Sequence, residues 1–283
     1  MTILGIPISP LTTSRVQEVV LEMLKDADSS VSRRTITTPN AEMILSATTP
    51  AIRSAVADVR LRLPDGTGLQ WAASYLLGAS RMGIVGVLFL PIWLCVSVLL
   101  YTFVPACKRW YLPERITGSD TLLTISRICE HYKCSVFLLG SYVADEAAAA
   151  LQDAYPDLVI AGAHEGTPHQ EDEPAIRERI NASGAHVLFV AYGAPAQEQW
   201  IQRNLPYLPN IRIAMGVGGA FDFLSGARTR APQWMQQVSL EWLWRLFHEP
   251  SRVGRIFNAT ARFTWRIFIE GYRVALDPRR LNL

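Results

Sequence analysis

DVRLRLPDGTGLQWAASYLL, residues 58–77, is the stretch on which the fold turns. A strand runs through Leu63, a turn occupies 64–68, and LQWAASYLL continues as a helix. The same grammar stands just upstream, where RRTITTPN gives a β-branched strand that stops at Pro39 and a helix opens at Asn40. Before it, Val16, Val19, Val20, Met23 and Leu24 recur at helical spacing. Downstream, GSDTLLTISRICEHY is a capped helix and CSVFLLGS a buried strand. DEAAAALQDAY (helix), DLVIAGAH (strand), EPAIRERINAS (helix), HVLFVAYGAP (strand), AQEQWIQRNL (helix) and IRIAMGVGGAFDF (strand and glycine loop) complete the series. Strands alternating with helices of about ten residues predict an α/β fold: a Rossmann-like, mostly parallel sheet with helices on both faces. That domain takes residues 1–230. From Ala231 the composition shifts to amphipathic helices rich in Trp and Arg, a C-terminal helical appendage over 231–283.

Composition narrows the function classes. The apolar fraction is 49%, the charged fraction 18% and the net charge +2, so no global field argues for nucleic acid. Arginines interleaved with Trp, Phe and Leu after Arg228 suit an anionic membrane surface or a phosphate-bearing ligand. Cys95, Cys107, Cys129 and Cys134 form no CxxC pair and no metal-ligand spacing, which reads as a reduced, cytosolic context. The first twenty residues lack the basic start and apolar core of a signal peptide.

In open α/β sheets ligands bind at the carboxyl ends of the strands, so the residues there are the candidates. Asp65 follows a strand and precedes a helix; it either accepts a proton from a substrate hydroxyl or caps that helix. Thr38 and Asn40 offer neutral hydrogen bonds beside it, or caps. The loop MGVGGAFDF brings Gly216, Gly218 and Gly219 behind a strand, where backbone N–H groups can approach a diphosphate, with Asp222 as a ribose partner or the whole as a tight turn. It is not GxGxxG, which disfavours a nicotinamide oxidoreductase. Gln197 and Glu198 open a helix after a strand, placed to read a sugar or base, or merely to suit the helix dipole. No DxD stands at a strand end, and His164 and His169 are isolated, so no metal is expected; arginines would then stabilise a diphosphate leaving group.

Taken together, TTPNAEMI, LRLPDGTGLQWAA, LPERITGSD, VFLLGS, YGAPAQEQW and the long segment from GVGGAFDF to GRIF resemble the WecG/TagA/CpsF glycosyltransferases, in family order over nearly the whole chain. The resemblance implies transfer of a sugar from a UDP-sugar to a membrane-anchored polyprenyl-diphosphate glycan, with inversion and without a metal or other cofactor. It implies Asp65 as general base and Thr38 and Asn40 at the acceptor–sugar site. Arg115, in the R-x-x-G-x-D stretch, falls near the donor phosphates, and the glycine loop with Asp222 holds UDP. Arg245, Arg252 and Arg255 match appendage arginines that close over the site or meet lipid headgroups. One departure is HEGTP (164–168) in place of an HGYF-like segment, which points to a different acceptor or donor preference. A non-catalytic scaffold that binds nucleotide or lipid diphosphate is the alternative, and a homo-oligomer is compatible with either.

The second departure is an insertion, 82–107, whose core GIVGVLFLPIWLCVSVLLYTFVPAC holds no charged residue. As one helix these twenty-five residues rise about 37 Å, enough to span a bilayer core of about 30 Å. A single crossing would put Asp65 and Arg115 on opposite sides of the membrane. The expectation is therefore a helical hairpin broken at Pro91, re-entrant or lying on the surface. Arg81 and Lys108–Arg109 would meet the headgroups at the cytoplasmic face of the bacterial inner membrane.

Overall fold

The computed structural model describes residues 1–26, 30–104, 107, 111–229, 231–232, 235, 241–248 and 253–281. Six parallel strands form the sheet. They are β3 (Thr35–Thr37), β4 (Leu61–Arg62), β5 (Ser135–Leu139), β6 (Val159–His164), β7 (Val187–Val190) and β8 (Ile213–Gly216), in the order β4-β3-β8-β7-β5-β6. The central strands β5, β7 and β8 are almost wholly apolar and buried throughout, as a sheet covered by crossover helices requires. A two-stranded antiparallel ribbon, β1 (Thr2–Ile3) with β2 (Ile6–Pro7), precedes the sheet and was not legible in the sequence.

Helices α1 (Thr13–Lys25), α2 (Val31–Arg34), α3 (Ala41–Ser46), α4 (Pro50–Ala57), α5 (Thr67–Gly86), α6 (Leu90–Phe103) and α7 (Gly118–Tyr132) lie in the first half. They are followed by α8 (Ala144–Ala154), α9 (Glu173–Ser183), α10 (Ala196–Asn204), α11 (Ala220–Leu224), α12 (Glu241–His248), α13 (Val253–Phe257) and α14 (Phe263–Leu276). One core joins α1, α7 and α8 to a sheet face through Val20, Leu122, Ile125 and Leu151, and a second joins α9 and α10 to the other face through Ile180, Trp200 and Ile201. The third core is built on α5. Leu69, Tyr75 and Leu76 pack there with Phe263, Ile267 and Val274 of α14, so the last helix of the chain lies against the helix that begins next to Asp65. Gly271 permits this approach, since an added Cβ would lie 2.7 Å from the Tyr75 ring.

The apolar stretch does fold back on itself. Trp93 Nε1 donates to the Tyr75 carbonyl at 3.1 Å, Trp71 Nε1 to Ser97 Oγ at 3.1 Å, and Tyr101 OH to Gln70 Oε1 at 3.0 Å. These pairs grow farther apart in sequence toward the base, as the two arms of an antiparallel hairpin must. An added Cβ at Gly78 would collide with the Trp93 indole, so a glycine makes room for that ring between the arms. The bend is not at Pro91. Gly83 takes φ 62° and ψ −165°, a conformation open to glycine but not to residues with a Cβ, and Val87–Phe89 tighten into a 3₁₀ turn. Pro91 instead sits in the first turn of α6, where its missing N–H costs nothing. The first arm is thus the Asp65 helix itself. Arg81 lies near the tip, not at the base as the Pro91 break required, and Lys108 and Arg109 fall outside the described residues.

Candidate active site

Because the strands are parallel, each hands over to its helix at the same edge of the sheet. A cleft of about 290 Å³ opens there. Thr38, Asn40, Asp65, Arg115, Gln197, Gly218 and Gly219 all line it, brought together from five separate segments.

Asp65 follows β4, and its backbone N–H donates to the Pro39 carbonyl at 2.9 Å, tying it to the turn after β3. Gly66 then takes φ 96° at the N-cap of α5, which turns the chain into the helix and leaves Asp65 one residue outside it. Asn40 does cap: its Oδ1 accepts from Met43 N–H at 2.9 Å, so its NH₂ group is what remains for a ligand. Thr38 is buried against Gly118, where an added Cβ would come within 3.2 Å of the threonine hydroxyl.

Arg115 sits just before α7. The base of the hairpin reaches it: Tyr101 is buried, which raises its phenol, and the nearby Arg115 guanidinium pulls it partly back. Thr117 caps α7, its Oγ1 accepting from Asp120 N–H at 3.1 Å, and Gly118 and Ser119 turn the helix's positive end toward the cleft.

Gln197 lines the cleft and also ties its loops together. Its Oε1 accepts from the N–H groups of both Gly193 and Gly218, so Gly218's N–H is committed inside the protein. Glu198 faces away from the cleft. It is 1% exposed, and burial pushes its carboxyl up to about 7 against the hydrogen bond donated by Gln197. Asp222 is not among the lining residues; it pairs with Arg228 Nη1 at 3.1 Å and accepts from Ser141 Oγ at 3.5 Å. Arg228 itself lines the cleft and was missed in the sequence as a site residue, along with Glu42, Thr117, Ser119 and Phe223. None of residues 164–168, where the HEGTP departure falls, lines it. Arg245 lies on α12 and Arg255 on α13, but their side chains, and Arg252 altogether, fall outside the described residues.

A model of the glycosyl transferase WecG/TagA/CpsF family matches residues 1–92 and 101–277. The chain belongs to the WecG/TagA/CpsF family. That match pauses only over 93–100, inside the second arm of the hairpin. Among curated proteins, the N-acetylglucosaminyldiphosphoundecaprenol N-acetyl-beta-D-mannosaminyltransferase of Bacillus subtilis (strain 168) is 32% identical over 149 residues, 52% of this chain and 57% of that protein. Proteins of the same name from Staphylococcus aureus strains MRSA252 and MW2 are 31% identical over 173 residues, 60% of this chain and 64% of each. The chain therefore spans about three fifths of the length of the curated relatives it matches. In this WecG/TagA/CpsF chain the family's matched segments converge on the cleft, although they are scattered from Thr38 to Arg228.

Proposed function

We propose that this chain is an inverting, metal-independent transferase acting on a polyprenyl-diphosphate-linked glycan. It takes a sugar of the N-acetylmannosamine, N-acetylmannosaminuronic acid, glucose or glucuronic acid type from a UDP-sugar. The observation that carries this reading is the meeting of Asp65 with Arg115, Arg228 and the Gly218–Gly219 loop in one cleft. Asp65 takes the proton of the acceptor hydroxyl as its oxygen attacks C1 of the donor sugar. The bond from C1 to the diphosphate oxygen breaks, and UDP leaves with the electron pair. A single displacement inverts C1. Arg115, Arg228 and the N-terminus of α7 take up the charge of the departing diphosphate. Thr38 and Asn40 hold the reacting sugars, Asp222 orients Arg228, and Arg245, Arg252 and Arg255 close over the site. N-acetylmannosamine is the favoured cargo, since the relatives' names specify that group and an N-acetylglucosaminyl-diphosphoundecaprenol acceptor.

The enzyme would work at the cytoplasmic face of the bacterial inner membrane, with the hairpin dipping into one leaflet. Support comes from Ile84, Val85, Leu88, Phe89, Ile92 and Phe103, all large, apolar and exposed, with Leu88 at 82% and Phe103 at 75%.

The test is a panel of UDP-sugars with a polyprenyl-diphosphate N-acetylglucosamine acceptor, with and without EDTA. Asp65→Asn should lower turnover by about 10²–10⁴-fold while the Kd for UDP stays unchanged. Full turnover in that variant would remove the base assignment, and loss of rate in EDTA would remove metal independence. UDP binding without transfer from any donor would leave a nucleotide-binding scaffold.

A further inference from the structure

The loops that carry the cleft's glycines are fastened to each other by one side chain. Gln197, 2% exposed, accepts with Oε1 from Gly193 N–H at 3.1 Å, in the loop after β7. The same oxygen accepts from Gly218 N–H at 3.0 Å, in the loop after β8. Its Nε2 donates to Glu198 Oε1 at 2.7 Å. A carboxamide has an acceptor end and a donor end, and its shape alone does not fix which way round it lies. The two glycine N–H groups call for the carbonyl end, and Glu198 Oε1 gives the NH₂ end the acceptor that holds it there. Turned over, the amide would bring its own NH₂ against two backbone donors, at a cost of about 1–3 kcal/mol for each buried group left unpaired. Gly216 makes the room: an added Cβ would collide with the Gln197 amide and lie 2.7 Å from Glu198 Oε1.

We propose that Glu198 is a positioning residue for the cleft. By holding the NH₂ end of Gln197 it keeps the carbonyl on Gly193 and Gly218, and with it the spacing of the loops after β7 and β8, the second of which receives the donor's diphosphate. The diphosphate part rests on the transferase reading; the clamp itself does not. Glu198 acts from behind the site, facing a separate cavity of about 260 Å³ between α4 and α10 that Ser54, Asp58 and Ile201 also line.

Two readouts on the full chain separate the clamp from the transferase reading. Hydrogen exchange followed by mass spectrometry reports the backbone of 191–195 and 216–219 whether or not any sugar is transferred. In Glu198→Leu the amides of Gly193 and Gly218 should exchange at least about tenfold faster, the loss of one hydrogen bond's worth of protection. The KM for the UDP-sugar should rise by about the same factor with the acceptor KM unchanged. Gln197→Leu should reproduce both effects. Glu198→Gln, whose own carbonyl can accept the same bond, should restore exchange and KM to wild-type values. Wild-type exchange at both loops in Glu198→Leu and Gln197→Leu would overturn the proposal. So would a Glu198→Gln variant as impaired as the leucine, because charge rather than orientation would then be in use. A wild-type chain that binds no UDP would sink the transferase reading and leave the exchange result to decide the clamp.

Discussion

Glu198 carries a cost that pH exposes. An ordinary glutamate releases its proton near 4.5, whereas burial holds this one on to about 7. Between those values the folded chain binds a proton that the unfolded chain gives up, so stability falls as pH rises through the window and stays lower above it. Glu198→Gln cannot ionise and should flatten that slope. Urea midpoints should show no gain below pH 4.5 and a gain on the order of 3 kcal/mol above pH 7. An unchanged slope would mean that other groups set it. Asp65 and Arg228 show a different side of the residue scale. Asp65 was legible because a carboxylate before Gly66, at a strand end, is a local pattern. Arg228 was not, because nothing near it in sequence announces that its guanidinium returns to the cleft beside Asp222. Gln197 was legible as a site residue but not as a clamp, since both of its acceptor bonds go to backbone outside its own helix.

The hairpin belongs to the scale of elements. Its apolar character is a property of composition, and the sequence announced it. Its bend depends on which of several breakers the packing selects. Pro91 is tolerated in a first helical turn, while a φ of 62° at Gly83 is open to glycine, so the turn went to the glycine and the first arm became α5. From Thr67 to Gly83 that arm rises about 24 Å, which carries the exposed tip well away from Asp65. Leu88→Glu with Phe89→Glu would put two carboxylates on the exposed apolar tip proposed to enter the bilayer, where the penalty reaches about 2.5–3.5 kcal/mol per charge at mid-bilayer. The double variant should lose most of its co-sedimentation with anionic liposomes and keep wild-type UDP affinity. Undiminished sedimentation would assign membrane contact to other surfaces, among them Phe257 and Trp265, which are also exposed.

For the whole molecule, the fold-back decides whether one active site is feasible at all. Asp65 precedes the hairpin, while Arg115, the glycine loop and Arg228 follow it. A helix through Thr67–Phe103 is long and apolar enough to cross a membrane, yet a crossing would separate Asp65 from Arg115, the glycine loop and Arg228. With the two arms joined at 70–101, 71–97 and 75–93, both flanks stay on one side. Protease added to the outside of intact spheroplasts should therefore cut neither flank; a cut in either would establish a span. The main alternation of strands and helices, the carboxyl-edge location of the site, the apolar stretch and seven of the cleft's lining residues were determined by the sequence alone. Side-chain period, glycine and proline breaks, and chain order are local quantities that a parallel α/β sheet converts directly into position. Only the tertiary structure decided where the hairpin turns, that α14 closes on α5, that Gln197 ties two loops together and that Arg228 reaches the cleft. Each of those rests on contacts between segments far apart in the chain, whose energies no local pattern contains.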